Sequence, residues 1–254
     1  MTTTLVVLAH PEGRSFNGSW ANATIKACRG AGDGVLVSDL TAMGFDAVER
    51  AAHYPARAET TRFDPLKAQE QANTGGTIPK DVATEIAKVE QADRIVFHFP
   101  IWWFAPPAVL KGWFDRVLLH GRLHSVDERF DKGLFQGRKA LFCVTTGATE
   151  AECAHNGKEG DVQMQLWPSA QTLRYLGMTV LAPQIVFGVH GYFEGSEKAD
   201  LDARLKTVID AQADLMAGFD ALPALAFNSD GEFDDHGRLR PSAPSHSPFI
   251  RHSK

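Results

Sequence analysis

Three short segments of this chain carry side chains suited to holding a ligand. The first, HPEGRSFN at residues 10–17, brings the imidazole of His10, the small polar side chains of Ser15 and Asn17, and free backbone N–H groups to the start of a helical stretch. A helix start of this kind can bind a phosphate or pyrophosphate, although capping alone would also explain Ser15 and Asn17. The segment has neither G-x-G-x-x-G nor G-x-x-x-x-G-K-[ST], so it is neither a dinucleotide fingerprint nor a P-loop. The second segment, FHFPIWWFAPPAVLKGWFDR, puts Trp102, Trp103 and Phe104 in a loop stiffened by Pro100, Pro106 and Pro107. Three successive aromatics cannot all enter one core. They suit a rigid wall for a planar ligand, with a helix-packing cluster or an oligomer interface as the plainer account. The third segment, TTGATE at 145–150, offers small side chains and N–H groups where a flat ring could approach closely. Strand propensity explains Thr145 and Thr146 equally well. Each segment alone has an ordinary structural explanation, and their conjunction points to a site.

The elements that must position these segments are read from hydrophobic periodicity. Continuous β-favouring runs at 4–9, 34–38, 94–99, 139–145 and 179–189 alternate with helical patterns near 19–28, 79–92, 107–119, 164–175 and 198–219. This alternation predicts an α/β fold, a doubly wound five-stranded parallel sheet with helices on both faces. In such a sheet ligands bind outside the carboxyl ends of the strands, near the topological switch point. All three segments directly follow predicted strands. Residues 50–76 show no clear strand and read as a long insertion. The expected domain spans 1–222, followed by a C-terminal extension at 223–254 that is extended or partly disordered.

Composition narrows the function classes. With 254 residues, 44% hydrophobic, 22% charged and a net charge of −5, the chain has an ordinary globular composition and does not suggest a nucleic-acid binder. The apolar run at 99–110 is too short and too broken by proline to span a bilayer, so no membrane insertion is expected. The N-terminus lacks a basic region and a small-residue cleavage site, and the three cysteines (Cys28, Cys143, Cys153) show no paired spacing. Together these features predict a cytoplasmic protein without disulfides. His53, His236, His246 and His252 match no metal-ligand spacing and read as solvated, as does the Asp127, Glu128, Asp131 group; no metal is expected.

The segments AHPEGRSFNGS, FPIWWFAPPAVLKGWFDRV and FDKGLFQGRKA leading to TTGA, then Gly160-Asp161 and LWPSAQTLRYLGM, extend the pattern over roughly residues 4–210. In order and spacing the chain resembles the NAD(P)H:quinone oxidoreductases (DT-diaphorase-like), which have a flavodoxin-like fold. The resemblance implies a homodimeric flavoenzyme with tightly bound FAD, passing hydride from NADH or NADPH to a quinone or related electrophile in a ping-pong cycle. FAD is expected in preference to FMN because the chain is long and Arg204 matches a position near the adenine end. His10, Ser15, Phe16, Asn17 and Ser19 would hold the pyrophosphate and ribityl region. Pro100, Ile101, Trp102, Trp103 and Phe104, with Thr145, Thr146, Gly147 and Ala148, would lie along the isoalloxazine.

The chain also departs from the family pattern. Cys153 and Glu159 stand where the family has a Tyr and a His that stabilise the reduced flavin. The expected substitutes are His155 or the backbone N–H groups of Gly147 and Ala148, with a neutral Glu159 as the competing account. A pocket Tyr pair falls near His124 and Val126, and a family Gln is Trp102 here. The alternative reading is a flavodoxin-like electron-transfer or redox-sensing regulatory subunit without efficient quinone turnover.

Overall fold

The computed structural model describes residues 1–55 and 62–252. β1 (Thr3–Leu8), β2 (Gly34–Asp39), β3 (Arg94–Pro100) and β4 (Lys139–Thr145) are continuous parallel strands. The fifth position is shared by β5 (Thr179–Val180) and β6 (Gln184–Val186), both parallel to β4, and the strand order is β2-β1-β3-β4-β5. β3 is buried along its whole length, which explains a run with no polar alternation.

Successive side chains serve the two faces. Leu5, Val7, Ile95, Phe97, Phe99, Phe142 and Val144 enter the core beneath α3 (Lys80–Gln91), α4 (Ala108–Val117) and α5 (Val162–Tyr175). Val96, Leu141 and Cys143 point to the opposite face. There they meet α1 (Phe16–Gly30), α6 (Gly195–Asp210) and α7 (Gln212–Ala217). The period of two along the strands sets this division.

Three elements differ from the sequence expectation. The predicted strand at 179–189 splits because Ala182 donates its N–H to Pro223 O, at 2.7 Å, instead of continuing the ladder. Pro183 next to it has no N–H to give. The predicted helix at 198–219 is broken at Ala211, beside Gln212, whose amide turns into the core. Within 50–76 the chain forms α2 (Pro65–Thr74), N-capped by Asp64 with Pro at its first turn. Its weak apolar face hid it from periodicity, although the Asp-Pro start is a helix signal. Residues 56–61 of this segment lie outside the described residues.

From Pro223 on, the described chain holds no helix beyond one 3-10 turn, Asp230–Glu232, and runs along the body. Ala224 bridges Leu181 in antiparallel fashion and Leu225 donates to Val180 O, which covers the sheet edge at β5. Further on, Asp230 N donates to Asp131 Oδ2 at 2.6 Å, and Phe249 stacks on Trp167 with ring centroids 4.7 Å apart.

Candidate functional site

β1, β3 and β4 end level with one another: Leu8 pairs with His98 and Pro100 with Thr145, so the three loops leave the sheet side by side. After β1 the chain runs through His10, whose Nδ1 accepts from Glu12 N at 3.0 Å, to Ser15, the N-cap of α1. Ser15 Oγ accepts from Gly18 N at 3.2 Å. A Cβ at Gly18 would lie 2.1 Å from Gly13 O, so the loop can rest against the helix start only over a glycine. Phe16 packs on Trp20 and the α6 side of the core, and Ser19 is exposed. Asn17 is buried; its Oδ1 accepts from Thr145 Oγ1 at 3.0 Å, and its Nδ2 is buried with no partner. A buried donor without an acceptor, at a helix N-terminus, fits an anionic oxygen such as that of a cofactor phosphate.

β3 ends at Pro100, and Ile101 N donates to Thr145 O at 2.7 Å, fastening the second loop to the third. Trp102 and Ala105 exchange backbone hydrogen bonds of 2.9 and 3.1 Å, closing a two-residue turn with Trp103 at φ 49° and Phe104 at φ 61°. Positive φ at both central positions is the type I′ pattern, which ordinarily takes Asn and Gly. For bulky side chains it costs about 1–2 kcal/mol per residue. The result is an aromatic projection in which Trp103 is 94% exposed, with Trp102 and Phe104 about half exposed. Trp102 leans toward His10, ring centroids 5.9 Å apart.

Beyond β4, Thr146 N donates to Val186 O and Thr146 O accepts from Val189 N. Ala148 O accepts from Gly188 N at 2.8 Å, leaving Gly147 exposed between these anchors. Arg204 on α6 donates Nη1 to Phe187 O at 2.7 Å and so fastens this flank.

A cavity of about 370 Å³ opens between the second and third segments, lined by Ile101, Trp103, Phe104, Thr146, Ala148, Cys153, Glu159 and Gln165; His10, Ser15, Phe16, Asn17, Ser19 and Arg204 do not line it. Cys153 and Glu159 are therefore together in its wall, whereas His155 is exposed and does not line it. Cys153 Sγ lies 3.8 Å from Thr146 Oγ1, and burial pushes its thiol pKa up, so the thiol stays protonated. Gln165, absent from the sequence-based site, lines the cavity from α5. A single polar residue in an amphipathic helix gives no signal of such a role.

A second cavity, about 700 Å³, shares Phe104 and Gln165 with the first and is bordered by Leu66, Gln69, Lys111, Leu118, His124 and Tyr175. His124 packs edge-on to Tyr175 at 5.3 Å, and burial followed by nearby His120 lowers its pKa. Val126 is 65% exposed and does not border this cavity, so the two positions expected to match a pocket Tyr pair diverge.

Two groups expected to be solvated are engaged instead. His53 sits between Asp46 and Glu49, at 3.1 and 3.4 Å. Asp131 pairs with Arg174 and accepts from Asp230 N. Among the described residues no cluster of three or more His, Cys, Asp or Glu could hold a metal ion, and no helix is long and apolar enough to cross a membrane.

The family model for the flavodoxin-like fold matches residues 2–210. A "NAD(P)H dehydrogenase [quinone] 1" of Cavia porcellus is 38% identical over 187 residues, covering 73% of this chain and 68% of that protein. A "Ribosyldihydronicotinamide dehydrogenase [quinone]" of Pongo abelii is 39% identical over 211 residues, covering 80% of this chain and 90% of that protein. Among solved structures, a Klebsiella pneumoniae protein described as a candidate quinone reductase superposes with a TM-score of 0.84 at 31% identity, covering 97% of both chains. A general stress protein of Treponema denticola in complex with FMN gives 0.57 at 25% identity, covering 86% of this chain and 98% of that one. The chain has the flavodoxin-like fold and belongs to the NAD(P)H:quinone oxidoreductase family. It is an oxidoreductase of the quinone-dehydrogenase type.

Proposed function

We propose that this protein is a flavin-dependent NAD(P)H oxidoreductase that reduces a quinone or related electrophile in a ping-pong cycle, with FAD as its flavin. The observation that carries this reading is the strained aromatic turn at Trp103 and Phe104, facing the Thr146–Ala148 segment across a cavity, with an unpartnered Asn17 amide at the adjoining helix start. When bound, the flavin supplies two-electron chemistry: NADH or NADPH is oxidised to NAD⁺ or NADP⁺, and the quinone takes up the two electrons with two protons and leaves as the hydroquinone.

The residues supply binding and orientation. Asn17, Ser15 and the N–H groups of the α1 start hold the phosphate region, with His10 and Ser19 beside them. Ile101, Trp103 and Phe104 form one wall for a flat ring and Thr146 and Ala148 the opposing edge, while Pro100, Trp102, Thr145 and Gly147, expected beside them, lie in the same two segments but outside the cavity lining. Arg204 would meet the adenine end of FAD, which FMN lacks. In the relay positions, a protonated Cys153 thiol is a weak donor and the Glu159 carboxylate an acceptor. Ala148 N already donates to Thr146 Oγ1 at 3.3 Å, so the exposed Gly147 N–H, just outside the cavity lining, is the backbone donor left for this role. His155, exposed, is the weaker candidate. The proposed assembly is a cytoplasmic homodimer with the substrate between the copies.

The cofactor assignment is tested by heat-releasing the flavin from purified protein and chromatographing it against standards. FAD is expected. FMN alone would overturn the assignment and align the chain with the FMN-bound Treponema denticola protein.

A further inference from the structure

Glu159 lines the cavity from a turn rather than from a helix or strand, and its own side chain makes no hydrogen bond among the described residues that would hold it there. Its backbone is held at both ends. Glu159 N donates to Glu152 O at 2.9 Å from within the 149–161 loop. Its carbonyl accepts from Gln165 Nε2 at 2.8 Å, and the same nitrogen reaches Gly160 O at 3.5 Å. The chain reverses at Gly160, φ 75°, a left-handed position that leaves the turn without a side chain to stiffen it. Asp161 then caps α5 by accepting from Gln163 N. Gly160 N also donates to Gly157 O at 3.1 Å, within the loop, and Gln165 adds a side-chain tie from the Glu159–Gly160 turn to α5. It is only half-buried, with water within reach, and its amide donor is nevertheless spent on these carbonyls.

The geometry points to Gln165 as a positioning residue that holds the Glu159 carboxylate in the wall of the cofactor cavity, an inference that rests on the flavin function proposed above. Ile101, Trp103 and Phe104 make that wall largely apolar, so a carboxylate fixed in it acts strongly on any charge the cofactor gains on reduction. Released into water, the same carboxylate is screened. Gln165 thus bears on the cofactor through Glu159, without being required to touch it.

The test compares how tightly oxidised and reduced flavin bind, read from the midpoint potential of the bound flavin together with its dissociation constant. Glu159→Gln removes the charge and should favour the reduced form by roughly tenfold. Gln165→Leu should shift the same ratio in the same direction, by about threefold, since the carboxylate survives but is no longer held. The double variant should equal Glu159→Gln alone, because Gln165 acts through a group no longer charged. Amide exchange at Glu159 and Gly160 should accelerate in Gln165→Leu, with or without flavin. Gln165→Met, of similar length, serves in place of Gln165→Leu if the latter does not fold. A wild-type ratio in the Gln165 variant, or additive shifts in the double variant, would overturn the inference while leaving the flavin function intact. Failure of the native protein to bind flavin at all would overturn the function itself.

Discussion

Trp103 is a large indole in water at a backbone conformation that disfavours it, and neither burial nor turn chemistry accounts for its presence. Strain of this kind persists where a ligand recovers it. Trp103→Gly should therefore raise the melting temperature of the flavin-free protein, by the equivalent of about 1 kcal/mol, because glycine adopts positive φ without penalty. The same change should weaken flavin binding about tenfold or more through lost ring contact. A calorimetric scan and a flavin titration on one preparation check both; lower stability with unchanged flavin affinity would reassign Trp103 to folding. If the Tyr and His that the resemblance places at Cys153 and Glu159 form a donor pair worth roughly 2–4 kcal/mol, its absence here should make flavin reduction by NADH or NADPH about 30- to 1,000-fold slower than in relatives that keep it. Stopped-flow traces for the native protein and for Cys153→Tyr with Glu159→His measure this, and no gain in the double variant would count against it. Much of the cavity wall was legible because its aromatic and threonine segments are continuous in sequence. Gln165 was not, since its role depends on a turn folding back onto the helix that carries it.

Three elements meet at His98, on β3 in the middle of the sheet. Thr24 Oγ1 of α1 lies 3.0 Å from His98 Nε2, 2.8 Å from Gln212 Nε2 and 3.2 Å from Trp20 O, and Trp20 Nε1 donates to Gln212 Oε1 at 2.7 Å. With the imidazole proton on Nε2, every donor in this group has an acceptor, and His98 Nδ1 is left as a buried lone pair. Burial lowers the His98 pKa to about 3. Since this lies below the unfolded value, the unfolded chain binds the extra proton first, and stability present above about pH 6.5 is lost as the pH falls toward 3. At pH 4.5 this one group should cost about 2.5 kcal/mol relative to pH 7. Denaturant titrations at the two pH values should show the native protein losing about that much more than His98→Gln; equal losses would refute the assignment. Periodicity located the strand and helices joined here but could not show that residues 20, 24, 98 and 212 converge. Their separation along the chain hides a contact that only the parallel crossover creates. Similarly, α2 was hidden by its weak apolar face, and the split at Ala182 follows from a hydrogen bond to the C-terminal arm that no local pattern encodes.

For the whole molecule, exposed Leu66, Trp102, Trp103 and Phe104 put apolar surface around the two adjoining cavities, which a lone chain would leave in water. A two-fold pairing that covers this face predicts a particle of two chains by light scattering at assay concentration. A fully active single chain would contradict it. The same face separates the two functional readings, because a catalyst must admit both nicotinamide and acceptor to the flavin whereas a carrier or sensor need not. The most direct test is steady-state oxidation of NADH and NADPH by the purified, flavin-loaded protein with and without menadione. Slow oxidation is expected without an acceptor, and rapid, quinone-dependent oxidation when menadione is added. Bound flavin with no quinone-dependent turnover would contradict it and leave electron transfer or redox sensing as the function.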